Sequence, residues 1–331
     1  MVSRAGSLKL SGAIFMALMV AGRVCWGIAA EGQGPAPRAK LAFAAAGKES
    51  VRLRFEEFRF DTGVLTGTLR RAGRSLGLTP VADKATGKPL GKASGLFSHY
   101  RLLSAGSRYG TAAWDWPSTA RLLDDGAVEV RWAADTKHPL DMTAVYRWKR
   151  PNALDLTTTV TARKPVRGLE VFLASYFQGF PESLVYVRQG REGKPAFLAA
   201  KRSAGHWQMF PRDEQAVRTV TDGRWKRPPH PVDWKIMPFL AAPLALRRDA
   251  DSGLTAVVMA RCEDCFAVAT PYGQEGHRSL YLSLLGRDLK AGESATARSR
   301  LVIGRGISDQ QAVALYEAYT KELAEADKAE K

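Results

Sequence analysis

In successive runs between Ala127 and Leu173 apolar and polar residues alternate, and this period limits what the chain can fold into more than any other feature. Val128, Val130 and Trp132 share one side while Glu129 and Arg131 share the other. Met142, Ala144, Tyr146 and Trp148 repeat the rule, as do Leu154, Leu156, Thr158 and Val160 against Asp155, Thr157, Thr159 and Thr161. Leu169, Val171 and Leu173 carry the pattern onward to Phe177. Consecutive half-buried strands of this kind make antiparallel sheet, and a twisted sheet of this size packs on a second one. The fold class expected is all-β, closed by one C-terminal helix.

The first thirty residues stand apart. Arg4 and Lys9 precede the apolar run Ile14–Ala21, and Gly27, Ala29 and Ala30 supply small residues for cleavage, as in a signal peptide (residues 1–30). The run is shorter than the roughly 20 residues of a membrane span, so no stable span is expected once it is removed. The mature chain would then be secreted or periplasmic. Losing Arg4, Lys9 and Arg23 lowers the formal charge from +16 to +13, which leaves a strongly basic protein.

Residues 31–39 read as a flexible lead rich in Gly and Pro. Residues 40–305 form one β domain, since no Gly/Ser/Pro-rich linker follows Arg38, and residues 306–331 form a C-terminal helix and tail. Val51, Leu53 and Phe55 open the strands, Phe58–Leu69 continues them, and strand character returns at Leu96–Leu103. Thr79–Ser94 suits an exposed loop. Further strands are expected at Leu254–Met259, Phe266–Ala269, Ser279–Leu285 and Ala295–Ile303. Ser308 and Gln311 have capping-box spacing ahead of the stripe Val313, Leu315, Tyr316 and Tyr319, and the helix is expected to protrude or fray after Lys321.

The basic residues Arg52, Arg54, Arg147, Arg298 and Arg300 alternate with apolar ones, as on a solvated sheet face. Their surplus would still steer the protein toward an anionic partner, for an exported chain an acidic polysaccharide or a membrane surface. No nucleic-acid-binding pattern is visible. Cys262 and Cys265, separated by two residues in an exported chain, are expected to form a small disulfide loop or to remain two spare thiols, without the further ligands a metal would need. No Gly-rich phosphate loop, His-Glu-x-x-His helix or Gly-x-Ser-x-Gly elbow occurs, and no cofactor is expected.

The order of features from Leu96 to Ile303 resembles the galactose mutarotase-like superfamily, which includes the aldose 1-epimerases. Trp114 leads to a strand after Asp125-Gly126, and His138-Pro139 opens the strand that ends in Tyr146-Arg147. Leu154-Asp155-Leu156, Ala174-Ser175-Tyr176-Phe177 and the closing turn Ala291-Gly292-Glu293 follow in the family's order. The resemblance implies an antiparallel β-supersandwich with an open sugar-binding cleft. It also implies a histidine general acid at the position held here by Ala174, which carries no proton, and a carboxylate base late in the chain.

Candidate ligand contacts gather in two places. Trp114-Asp115-Trp116 offers indole faces for a pyranose ring and a carboxylate for its hydroxyls, with Trp114 and Trp116 on one side of a strand. Gly205–Lys235, about thirty residues without strand or helix signal, is too long for an idle connection and too rich in Trp207, Trp225 and Trp234 for a disordered one. His206, His230 and Asp233 lie in the same segment. Glu275 and His277 sit in a turn before a strand, and Arg108 and Arg101 could grip a hydroxyl-rich or anionic ligand. Imidazole, with an ordinary pKa of about 6.5, can act as acid or base when a carboxylate orients it.

These residues favour an exported carbohydrate-binding protein. The enzymatic alternative, epimerase, lyase or hydrolase, gives Glu275 or Asp233 the role of base and His206, His230 or His277 that of acid. A non-catalytic envelope protein, its tryptophans only pinning loops, is the reading from a third class.

Overall fold

The computed structural model describes residues 41–46, 57–70, 77–188 and 193–329. The expected signal peptide, the flexible lead and the strand at Val51–Phe55 lie outside the described residues.

In chain order, β1 (Phe43–Ala45), β2 (Glu57–Asp61), β3 (Leu65–Arg70) and β4 (Gly77–Asp83) pair successively into a four-stranded antiparallel sheet. There follow β5 (Ser98–Ser104), β6 (Ser107–Arg108), β7 (Thr119–Leu122), β8 (Val128–Trp132), β9 (Leu140–Arg150), β10 (Ala153–Ala162) and β11 (Val166–Tyr176). Next come β12 (Glu182–Val187), β13 (Ala196–Ala199), β14 (Trp207–Pro211), α1 (Glu214–Val220), β15 (Lys235–Ile236) and β16 (Leu240–Asp249). The chain closes with β17 (Leu254–Ala260), β18 (Cys265–Pro271), β19 (Ser279–Leu289), β20 (Ser294–Arg305) and α2 (Asp309–Ala329).

Two large sheets carry the molecule. One has nine strands in the order β13-β12-β16-β17-β20-β10-β9-β8-β7, and the other seven in the order β15-β14-β18-β19-β11-β5-β6. Every pairing in both is antiparallel except β14 with β15. The alternating side chains seen in the sequence meet between them: Tyr146, Leu156, Val160 and Val258 of one sheet share a core with Val171, Leu173, Val268 and Leu282 of the other. Fully burying an aliphatic side chain of this size stabilises by about 1.5–3 kcal/mol, so this layer is the main source of cohesion. The all-β sandwich and its C-terminal helix are those the sequence predicts.

Each sheet also buries part of its outer face. Ala312 and Tyr319 of α2 lie against Leu244, Leu246, Val257, Met259 and Val302 of the nine-stranded sheet. The helix starts where its capping box predicts, with Ser308 Oγ accepting from the Gln311 N–H (3.2 Å) and Gln311 Oε1 accepting from the Ser308 N–H (2.8 Å). It does not fray after Lys321: Glu322 pairs with Arg300 at 2.8 Å, and Asp327 pairs with Arg261 and Arg298 at 2.6 and 2.5 Å. Among the described residues no helix is long and apolar enough to cross a membrane.

Three further expectations are corrected. Thr79–Asp83 belongs to β4 rather than to a loop, because Val81, Leu90 and Leu96 are buried there and hold it to the core. Gly205–Lys235 is not structureless, since it contains β14 and α1, the latter capped by Asp213 accepting from the Ala216 N–H at 2.8 Å. Cys262 and Cys265 are free thiols. Cys265 is buried and its Sγ contacts the Ala267 carbonyl at 3.1 Å, whereas Cys262 lies on the surface with its Sγ 3.6 Å from the Tyr316 hydroxyl. Burial pushes the Cys265 thiol well above its ordinary pKa, and the thiolate is the reactive form. A brief pulse of an alkylating reagent is therefore expected to label Cys262 and spare Cys265 until the protein is unfolded, as read by peptide mass mapping. Equal labelling of the two in the native state would contradict this placement.

Candidate functional site

The outer face of the seven-stranded sheet is covered by the segment that the sequence left unassigned. Phe172, Ala174 and Tyr176 of β11 and Tyr281 of β19 form an aromatic floor, with Phe172 stacked on Tyr281 at 4.6 Å. Trp225 meets Phe172 edge to face at 4.6 Å and meets Trp234 at 5.2 Å, and Trp234 meets Trp207 at 5.9 Å. Such pairs each add about 0.5–1.5 kcal/mol beyond the area they bury. They fix the indoles as walls.

What they enclose is a cavity of about 380 Å³ with Tyr100, Arg101, Trp207, Trp225, His230, Trp234 and His277 among its lining residues. The size falls within the range typical of small-ligand sites, about 300–1,000 Å³. A β-bulge shapes one wall. Phe172 pairs with Arg101 and Leu173 with His99, so Tyr100 is an extra residue on β5, and Tyr100 and Arg101 both line the cavity. Trp114 lies flat on Tyr100, 4.6 Å away with planes 2° apart, and backs that wall from outside.

A buried ion pair anchors the covering loop. Arg224 is 1% exposed and donates to the Gly168 carbonyl (2.7 Å), to Glu170 Oε2 (3.2 Å) and through Nη2 to Asp222 (2.8 Å). Ser283 donates to the other Glu170 oxygen at 2.8 Å. Gly168 has φ +57°, and a Cβ there would stand 2.8 Å from Arg224 Nη2, so a side chain at this position would press on the guanidinium that anchors the loop. On the other side of the loop, Arg101 Nη2 donates to the His230 carbonyl (3.0 Å), and Arg108 donates to Pro229, Gly110 and Thr111 carbonyls. His230 itself has φ +59°, an uncommon backbone for a residue with a side chain, held here by that clamp.

At the rim, the Glu275 carboxylate accepts from the backbone N–H of His277 (2.7 Å) and lies 2.9 Å from its ring Nδ1. Burial resists the charge on Glu275, but these two hydrogen bonds outweigh it and hold the carboxyl below its ordinary range. An ionised Glu275 selects the tautomer with the proton on Nδ1, leaving Nε2 able to accept one. His206 packs between Trp207 (5.4 Å, tilted) and Tyr272 (5.2 Å, edge to face) next to this pair.

Of the residues singled out in the sequence, Trp207, Trp225, His230, Trp234, His277 and Arg101 line one cavity. Glu275, His206, Trp114 and Arg108 flank or brace it. Asp115, Trp116 and Asp233 are elsewhere. Ala113–Asp115 is a 3-10 turn rather than part of a strand, so Asp115 is exposed while Trp116 is buried against His138 at 3.9 Å. Asp233 is 87% exposed and paired with Lys226. Phe172, Tyr176, Tyr281 and Tyr100 went unnoticed as site residues because each reads as an ordinary strand residue. A larger trough, about 630 Å³, lies on the nine-stranded sheet beside Thr143, Thr159, Thr161 and Arg163. Some of its polar groups are already engaged, Thr159 with Thr296 at 2.9 Å and Arg163 with Asp141, and Trp132 is the one aromatic ring among its lining residues.

No protein-family model and no curated protein matches the chain. Solved structures do. A galactose mutarotase-like protein from Lactobacillus casei is similar at 12% identity and TM-score 0.46, over 75% of this chain and all of that one. An aldose epimerase homologue from C. elegans is similar at 11% identity and TM-score 0.43, over 73% of this chain and 96% of that one. A heparan sulfate lyase from Pedobacter heparinus is similar at 8% identity and TM-score 0.43, over 76% of this chain and 35% of that one.

Proposed function

We propose that this protein is exported and recognises carbohydrate, as a polysaccharide-binding protein, through the cavity lined by Trp207, Trp225 and Trp234. The convergence of these three indoles with two histidines and an arginine, drawn from strands and loops far apart in the chain, carries the reading. Indole faces match the apolar C–H faces of a pyranose, and hydroxyls need donors at their edges. Trp225 Nε1 and Trp234 Nε1 are buried N–H groups without a partner among the described residues. An unpaired buried donor is costly, so a ligand oxygen there would recover that cost. Trp225 is 3% exposed and chiefly a wall, while Trp207 and Trp234 are half-buried and keep surface to offer a sugar.

Glycan-array binding by the full chain tests this. Trp234→Ala and Trp207→Ala are each expected to weaken retention of the bound glycan by about tenfold or more, on the scale of 1–3 kcal/mol measured for stacking on an aromatic side chain, with the fold intact by circular dichroism. Wild-type retention of no glycan at all would give the lead to a purely structural protein. Export is tested separately by the N-terminal sequence of protein recovered outside the cytoplasm.

One observation favours a second reading, that the protein also acts on its sugar. The Glu275–His277 pair at the rim has the geometry of an oriented proton acceptor, with Nδ1 fixed and Nε2 available. On this reading Glu275→Gln lowers turnover by about 10²-fold or more while leaving affinity unchanged. Absence of turnover by the wild type on every glycan it binds would leave binding alone. Mutarotation through a histidine in the position of Ala174 is closed to this chain, because that residue is an alanine buried in the floor.

A further inference from the structure

The cavity carries an unanswered positive charge. Arg101 is 4% exposed, yet among the described residues no carboxylate lies within ion-pair distance of its guanidinium and its Nε–H has no partner. Its cation rests on rings, 4.9 Å from Tyr100 and 5.0 Å from Trp225, and its Nη2 is spent on the His230 carbonyl and the Tyr100 hydroxyl. The lining contains no aspartate or glutamate. The nearby acids are already engaged: Glu275 by His277, Asp233 by Lys226, and Glu170 with Asp222 by Arg224. Arg108 adds a second cation whose proton is made easier to lose by burial and by its proximity to Arg101.

A buried cation is expensive unless a charged partner answers it, and the planar guanidinium is matched best by a carboxylate. We propose that the saccharide bound here is a uronic acid, its carboxylate seated on Arg101 and its ring against the indoles. This rests on the carbohydrate reading and narrows it: the ligand's charge, as well as its ring, selects it. The bulge at Tyr100 acquires a purpose in the same picture, since it brings Arg101 to the cavity beside the ring on which its cation rests. The general surplus of basic residues would draw an acidic polymer toward the surface. Arg101 reads the individual residue.

Titration calorimetry of the full chain tests this with galacturonate, mannuronate and glucuronate oligosaccharides, each beside its carboxyl-reduced neutral form, and with a sulfated neutral oligosaccharide. At least one uronate is expected to bind about tenfold to a hundredfold more tightly than its reduced form, as a charge-assisted hydrogen bond provides. Arg101→Met should remove that difference, and Arg101→Lys should restore only part of it, because an ammonium cannot form the forked contact. At about 1 M salt, where the screening length is about 3 Å, the preference should persist in the pocket although long-range steering is gone.

Equal binding of acid and reduced forms would overturn the proposal and leave the carbohydrate reading standing. So would retention of neutral glycans with no uronate bound, or equal preference for the sulfated oligosaccharide. If nothing saccharide is retained, neutral or acidic, both readings fall together. Should Arg101→Met disturb the loop through its lost bond to His230, the wild-type comparison of acid with reduced form still decides the question.

Discussion

Replacing Arg224 by alanine is expected to cost about 3–5 kcal/mol of stability and, if the cavity binds carbohydrate as proposed, to abolish glycan retention, because it strands the Glu170 carboxylate in the interior. Glu170 is wholly buried, and the guanidinium 3.2 Å away is the cation that answers it. Burial pushes that carboxyl up, and Arg224 draws it back toward the ionised form. Without the cation the site must either hold a bare charge or take up a proton. The loop loses its anchor as well, since the same guanidinium grips Gly168 of β11 and Asp222 of the loop. Trp225 follows directly in the chain, and Trp234 packs against it, so the cavity wall should loosen with them.

Urea unfolding measures the stability change, and near-ultraviolet circular dichroism reports whether the indoles keep their packing. A double replacement, Arg224→Met with Glu170→Leu, should recover most of the lost stability by removing both charges, but not the hydrogen bond to Gly168. A loss below 1 kcal/mol in Arg224→Ala would show that this pair does not hold the loop.

That pair was invisible in the sequence, and the reason is general. Glu170 and Arg224 are 54 positions apart, and neither sits in a pattern that marks it as buried. Strands with one covered face were legible, because β8, β9 and β10 alternate cleanly and pair in register, Val128 with Tyr146 and Tyr146 with Leu156. Legibility failed where both faces are covered. Every residue of β14 after Trp207 is buried, Gln208 included, whose amide donates to the Lys201 and Gly205 carbonyls at 2.8 Å each. With cover on both sides, alternation carries no information.

A second cause of failure is irregular backbone. Along β16, Ala245 pairs with Val185 of β12 and Leu240 with Val187, so the residues between, Pro243 among them, bulge out of register. A proline inside an Ala-rich run hid that strand. The indoles were legible as candidates through composition alone, since tryptophans in a long unassigned segment must pack on something. The floor they pack on came from plain strand residues, and the bulge that exposes Arg101 beside Tyr100 has no sequence mark.

Acid should weaken this fold in a window set by one histidine. His99 is wholly buried on β5, with Nε2 2.9 Å from the Thr158 hydroxyl and Nδ1 3.3 Å from the Tyr146 hydroxyl. Tyr146 donates its own proton to the Phe97 carbonyl at 2.9 Å, so Nδ1 must be the donor to Tyr146 and Nε2 the acceptor from Thr158. The neutral ring is satisfied at both ends. Burial lowers its pKa from 6.5 to about 3. Between those values the unfolded chain binds a proton that the folded chain refuses, so stability is complete above pH 6.5 and is lost as pH falls. At pH 5, about 1.5 units below the unfolded value, the loss from this group is about 2 kcal/mol.

Urea midpoints at pH 7.5 and pH 5 measure that loss, and His99→Gln, which can still donate and accept, should remove most of the difference between them. A wild type as stable at pH 5 as at pH 7.5, or a variant with the same slope, would place the acid response elsewhere. His99 is the residue immediately before the Tyr100 bulge, and its strand carries Arg101 to the cavity. Partial unfolding driven by this proton would begin beneath the wall of the site, so the affinity proposed for a glycan should fall with pH before the protein as a whole unfolds.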